Sequence, residues 1–104
     1  MTVYALAQLT IHDRALYGRY QSRFMDVLRK YHGRLLAADE SPRVVEGSWE
    51  HEKVVLLAFV DEAAYRAFAE SEDYLEIAKD RKAGADAVVL LVRGIDAGAK
   101  DVKR

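Results

Sequence analysis

The chain contains no cysteine and only one proline, Pro42, in 104 residues. Without cysteine there is no disulfide, no thiol nucleophile and no thiolate metal site. No apolar run approaches the ~20 residues of a membrane span. The N-terminal MTVYALAQLTIHD lacks a basic leader followed by an apolar core, so a cytoplasmic protein is the expectation. Charge of either sign is not in excess, with 16 Lys and Arg scattered among 17 Asp and Glu. That balance leaves no electrostatic footprint for nucleic acid or an anionic membrane surface. Also missing are G-x-G-x-x-G and Walker-type loops, H-E-x-x-H and a calcium loop. Ser48 follows Gly47, but EGSWE is not a nucleophile elbow.

What is present is globular. Hydrophobic residues make up 51% and charged residues 32%, which suits one domain that buries roughly 65% of its unfolded surface. We expect that domain over residues 1–95, with 96–104 (DAGAKDVKR) as a flexible C-terminal tail.

Val3 to Thr10 reads as a first strand. Asp13 is placed to cap a helix whose inward stripe is Leu16, Tyr17, Tyr20, Phe24, Val27, Leu28 and Tyr31. Arg29, Lys30 and His32 complement its C-terminal dipole, and Gly33 suits a left-handed terminus. Arg34 to Ala38 and Arg43 to Glu46 read as one strand broken around Ser41-Pro42, which proline confines to a sheet edge or a bulge. EGSWEHE is a hairpin turn, and Lys53 to Val60 a buried strand. Asp61 and Ser71 cap two successive helical pieces, with Gly84 ending the second, and Asp86 to Arg93 is the last strand. The order predicts an α+β fold: ferredoxin-like βαββαβ, a four-stranded antiparallel sheet with helices on one face. The strand order expected is four-one-three-two.

A sheet with one wet face alternates apolar and polar. Here Val54, Leu56, Ala58 and Val60 oppose Val55, Leu57 and Phe59, while Ala87, Val89 and Leu91 oppose Val88, Leu90 and Val92. Helices can cover only one such face. The other exposes on the order of 800 Å², about one partner's share of a standard interface. A homodimer joined through that sheet face, a dimeric α/β barrel, follows.

Candidate chemistry is sparse. His12 and His51 fall at the same end of the sheet, with Asp13, Glu50, Glu52 or Asp86 as the carboxylate that would join them on a metal, but their 39-position separation in the sequence is no motif; we assign no metal and no cofactor. His32 is most simply a partner of the helix C-terminal dipole. Glu46 ends an apolar run and is the candidate catalytic acid or base, its carboxylate facing the barrel mouth or water according to register. Trp49 is a candidate pocket wall or a cover for the core. Tyr74 and Arg81, two turns apart on about one helical face, are placed to orient an anionic ligand, although Arg81 also suits a surface ion pair.

YHGR (31–34), VVEGSWE (44–50), the strand ending in Phe59, SEDY (71–74), Arg81 and LLVRGI (90–95) resemble the family known as domain of unknown function 1330. The resemblance spans roughly residues 3 to 95. It implies a small dimeric α/β-barrel protein of ferredoxin-like topology, with no established reaction. It makes Glu46, Gly47, Trp49, Tyr74 and Arg81 the best site candidates. The family usually has Tyr-Gly-Gly where this chain has Tyr31-His32-Gly33, and often a tryptophan where this one has Phe68. The wider superfamily includes cofactor-free monooxygenases and haem-degrading enzymes that commonly rely on an asparagine. This chain has none. The expected function is binding of, or acid/base chemistry on, a small carbonyl or aromatic molecule in the sheet–helix cavity; the alternative is a non-catalytic ligand-binding or interaction module. Sedimentation at micromolar concentration is expected to give twice the 11.8 kDa chain mass, and a species of single mass alone would exclude the dimer.

Overall fold

The structure is a computed structural model and describes residues 1–95; the expected tail at 96–104 lies outside the described residues. Seven elements follow one another: β1 (Val3–Ile11), α1 (Arg14–Lys30), β2 (Arg34–Asp39), β3 (Lys53–Phe59), α2 (Glu62–Ala69), α3 (Glu72–Gly84) and β4 (Ala85–Arg93). All strand pairs are antiparallel and their order is β2-β3-β1-β4. This is the ferredoxin-like α+β arrangement that the element order implied.

Local chemistry starts each helix where expected. The Asp13 carboxylate accepts from the Ala15 and Leu16 amides, both at 3.1 Å. Asp61 accepts from Ala64 at 2.8 Å, and Ser71 from Tyr74 at 3.0 Å. Each satisfies amide donors that the first helical turn leaves without an intrahelical partner.

The end of α1 departs from expectation. His32, not Gly33, takes the left-handed conformation, at φ 63°. The His32 amide donates to Arg29 O at 3.0 Å and the Gly33 amide to Leu28 O at 2.9 Å, the paired bonds of a Schellman ending. Gly33 is needed for space: a Cβ there would lie 2.4 Å from Leu28 Cδ1 and 2.7 Å from the Phe59 ring. Gly84 is another close approach without a left-handed turn. Its carbonyl accepts from the His12 and Asp13 amides, at 2.9 and 3.0 Å, and an added Cβ would meet Asp13 O at 2.9 Å. The start of α1 is thereby tied to the end of α3.

The second strand is shorter than expected. Its ladder with β3 ends at Asp39 opposite Val54, after a bulge between Leu35 and Ala37. The Asp39 carboxylate then accepts from the Ser41 amide at 2.8 Å, a local turn that diverts the chain. Arg43 to Glu46 is therefore not a strand, and Pro42 belongs to the 40–52 connection rather than to the sheet edge. An apolar run reads as a strand by composition, but here no ladder is left for it to join.

Register decides which side of each strand meets the helices. Val3, Ala5, Leu9 and Ile11 are buried on the helix side of β1. They align with Phe59, Leu57 and Lys53 of β3 and with Ala87 and Ala85 of β4. Leu28, Phe59, Phe68 and Ile77 complete the core beneath the helices. The opposite face carries Leu6, Leu56 and the exposed Val88, Leu90 and Val92.

Relaxing the left-handed residue gives a direct test. His32→Gly is expected to raise unfolding free energy by about 1 kcal/mol, because a non-glycine residue is strained there. Gly33→Ala should lower it by about 1–3 kcal/mol through overpacking against Leu28 and Phe59. Urea denaturation of the two variants beside wild type measures both signs.

Candidate functional site

Small residues on the sheet create room under the helices. Ala5 and Ala7 of β1 and Ala87 of β4 share the helix-facing side with Val55 and Leu57 of β3. Alanine stands too short to reach the helix layer, and a cavity of about 360 Å³ remains between the two. That volume lies in the range of sites for small ligands. At the β2 margin it is lined by Gln21, Leu35 and Ala38, all exposed, so it opens to solvent there.

Its roof is a run of aromatic rings. Tyr20 lies 5.5 Å from Phe24 and 6.1 Å from Tyr74, centroid to centroid, and Phe68 is 4.6 Å from Tyr74. These tilted and edge-on pairings suit the quadrupoles of the rings. The Tyr20 and Tyr74 hydroxyls are hydrogen-bonded to each other at 3.1 Å.

Several polar side chains thus converge on an apolar space, with Tyr17, Gln21 and Tyr65 also in its lining. Tyr20 and Tyr74 supply hydroxyls, Lys53 an ammonium and Arg81 a guanidinium. Lys53 is 3% exposed, unusual for lysine, with its Nζ 4.8 Å from the Tyr17 ring centre and 3.6 Å from Glu40. Arg81 Nε is buried and has no hydrogen-bond partner among the described residues. Burial raises the Tyr20 pKa well above its ordinary value, the Tyr74 neighbour adds to the rise, and the Arg81 charge opposes it. Tyr65 is raised in the same way, chiefly by burial. At neutral pH these hydroxyls are protonated donors. Outside the cavity the Arg14 guanidinium, hydrogen-bonded to Glu40 at 3.0 Å, holds that carboxyl below its usual range.

The sequence of the domain of unknown function (DUF1330) family matches residues 2–95. The chain belongs to the DUF1330 family. No curated protein matches its sequence. Among solved structures, this DUF1330 domain is similar to a protein of unknown function from Rhodopseudomonas palustris, with TM-score 0.78, 14% identity, and 91% and 83% of the two chains covered. It is also similar to a dimeric ferredoxin-like protein of unknown function from Jannaschia sp. CCS1, with TM-score 0.68, 17% identity and coverage of 90% and 100%. A third is SnoaB, a cofactor-independent oxygenase from Streptomyces nogalater, with TM-score 0.64, 13% identity and coverage of 95% and 98%. At such identities the likeness is one of fold.

Of the five residues singled out in the sequence of this DUF1330 domain, Gly47 is a turn residue with φ 92° and the other four divide into two places. Tyr74 and Arg81 both line the cavity, brought there by their common face on α3. Glu46 and Trp49 line a shallow groove with Pro42 and Val54, and Val54 belongs to the opposite, open side of the sheet. Glu46 is exposed. Trp49 is half-buried: its indole N–H donates to Gln8 Oε1 at 2.8 Å, and its ring lies 5.8 Å from that of His51. His51 Nδ1 in turn sits 3.1 Å from Thr10 Oγ1. The tryptophan therefore anchors the 40–52 connection onto the open face. His12 Nε2 lies 3.7 Å from Asp86 Oδ1, and no group of three or more His, Asp or Glu side chains among the described residues has metal-site geometry.

Tyr20 and Lys53 escaped the sequence reading. Tyr20 reads as core on an apolar stripe, and Lys53 as the first residue of a buried strand. Their common signal was a polar group at an inward position, which the register reveals.

A raised tyrosine pKa has a defined consequence for stability. The Tyr20 contribution is fully present below the ordinary tyrosine pKa of about 10 and is lost as pH rises through the higher folded-state value. Urea midpoints should fall as pH rises above about 10, and Tyr20→Phe should flatten part of that fall. At neutral pH the same variant should lose about 1 kcal/mol with the Tyr20–Tyr74 bond.

Proposed function

We propose that this protein is a small-molecule binding domain that works as a homodimer. Its ligand is a compact carbonyl or aromatic molecule in the cavity between sheet and helices, oriented by Tyr74 and Arg81. The observation that carries the reading is the cavity itself, about 360 Å³ with an aromatic roof and a few converging polar groups. Specific small-molecule sites have that make-up.

Binding is better supported than acid/base turnover. Among the described residues lining the cavity there is no carboxylate and no imidazole, the side chains that most readily exchange protons near neutral pH. Glu46, the candidate acid or base, stands in the groove on the open face, so any proton transfer by it belongs to that side. SnoaB, a neighbour in fold, is a cofactor-independent oxygenase; a catalytic role on this scaffold would draw on the tyrosine hydroxyls and the two cations.

The dimer is supported by the apolar open face. Val88, Leu90 and Val92 are 45%, 48% and 44% exposed in the single chain, and Val45 of the nearby connection is 95% exposed. A neighbour in fold is described as dimeric. Covering an ~800 Å² patch at ~25 cal/mol per Å² gives on the order of 20 kcal/mol before association and ordering costs. No helix among the described residues is long and apolar enough to cross a membrane. We infer a cytoplasmic protein that engages neither membrane nor nucleic acid.

A thermal-shift screen of small aromatic and carbonyl metabolites tests the reading. Compounds that raise the wild-type melting temperature should lose their effect in Ala7→Phe, whose ring would fill the cavity, and keep it in Glu46→Gln. Retention in Ala7→Phe together with loss in Glu46→Gln would move the site to the open-face groove.

A further inference from the structure

The charges around the cavity are one-sided. Arg81 brings a guanidinium with no acceptor capacity, its Nε is buried without a hydrogen-bond partner among the described residues, and no salt bridge there involves it. Lys53 has Glu40 within ion-pair range at 3.6 Å, but that carboxylate is bonded more closely by Arg14, at 3.0 Å. Glu40 does not line the cavity. Arg81 lines the cavity, and with no carboxylate in ion-pair range among the described residues its charge is left for an anionic occupant to balance. Of the two tyrosine hydroxyls, one donates to the other at 3.1 Å, which leaves the second proton to point elsewhere.

From these observations we infer that the cavity takes a small aromatic carboxylate, its anionic group held by the Arg81 guanidinium beside the Tyr20–Tyr74 hydroxyl pair and its ring against the aromatic roof. The inference rests on the cavity being the ligand site. A planar guanidinium presents parallel donors that match a carboxylate. The apolar floor of Ala5, Ala7 and Val55 suits a ring and offers nothing to the remaining oxygens of a phosphate. Both Tyr20 and Tyr65 resist ionisation, so they do not add negative charge against the incoming anion.

The probes are benzoate, its neutral isostere benzamide and inorganic phosphate, titrated into the full-length protein by calorimetry and by two-dimensional NMR of the tyrosine rings. Benzoate should bind at least tenfold more tightly than benzamide, and phosphate should not compete. Arg81→Met should reduce benzoate affinity to the benzamide level while benzamide binding persists, which also shows that the variant is folded. Arg81→Lys, which keeps the charge and loses the planar fork, should fall between. Equal binding of benzoate and benzamide, or an undiminished benzoate preference in Arg81→Met, overturns the carboxylate assignment and leaves the cavity as a site for neutral ligands. Effective competition by phosphate overturns the aromatic class. No shift of any tyrosine ring with either aromatic compound at millimolar concentration removes the cavity as a ligand site, and this inference with it.

Discussion

A sheet that is apolar on both faces, with helices enough for only one, is the constraint from which the rest of this molecule follows. Val55, Leu57 and Phe59 of β3 face the helices, and Val54, Leu56 and Ala58 face away. Burying apolar area is the main favourable term in folding, so the helix side becomes the core, while the other side keeps Val88, Leu90 and Val92 exposed in the single chain. The helix layer also fits its own side incompletely. Where the floor carries alanine, as at Ala5, Ala7 and Ala87, the close packing usual in protein interiors is interrupted, and the space becomes the cavity.

The two sides have separate chemistry. On the helix side, an aromatic run from Tyr17 through Phe68 encloses two cations and a hydroxyl pair. On the open side, the 40–52 connection returns across the strands and is held by Trp49 on Gln8 and His51 on Thr10. Its far end is secured by the Glu52 carboxylate, which accepts from the Ile11 amide at 2.7 Å. Residues close in sequence to the cavity-lining Lys53 thus serve the opposite face, because the 40–52 connection lies outside the ladder and is fixed by its side-chain bonds to Gln8 and Thr10.

Much of the architecture was legible from short-range patterns. Asp13, Asp61 and Ser71 announce helix starts because capping is settled within three residues. The two-sided strands Lys53–Phe59 and Ala85–Arg93 are apparent from uninterrupted apolar runs. The same rules misled where a local pattern had no long-range partner. Arg43 to Glu46 has strand composition, yet the Asp39–Ser41 turn leads it off the ladder. At the end of α1, a glycine next to the terminus suggested left-handed backbone, but the pressure at Gly33 comes from Leu28 and Phe59 and the left-handed residue is His32.

The site was half legible. Tyr74 and Arg81 share a helical face, a relation that 3.6-residue periodicity carries over seven positions. Their meeting with Tyr20 and Lys53 joins α1, α3 and β3, segments set together by sheet register and helix docking rather than by spacing along the chain. By itself, then, the amino-acid sequence determined the element order, the caps and the surplus apolar face, since each depends on neighbours a few residues away. Only the tertiary structure decided which inward polar groups share one cavity and which side Glu46 and Trp49 occupy. Those outcomes depend on strand pairing and on the height of side chains across a packed interface.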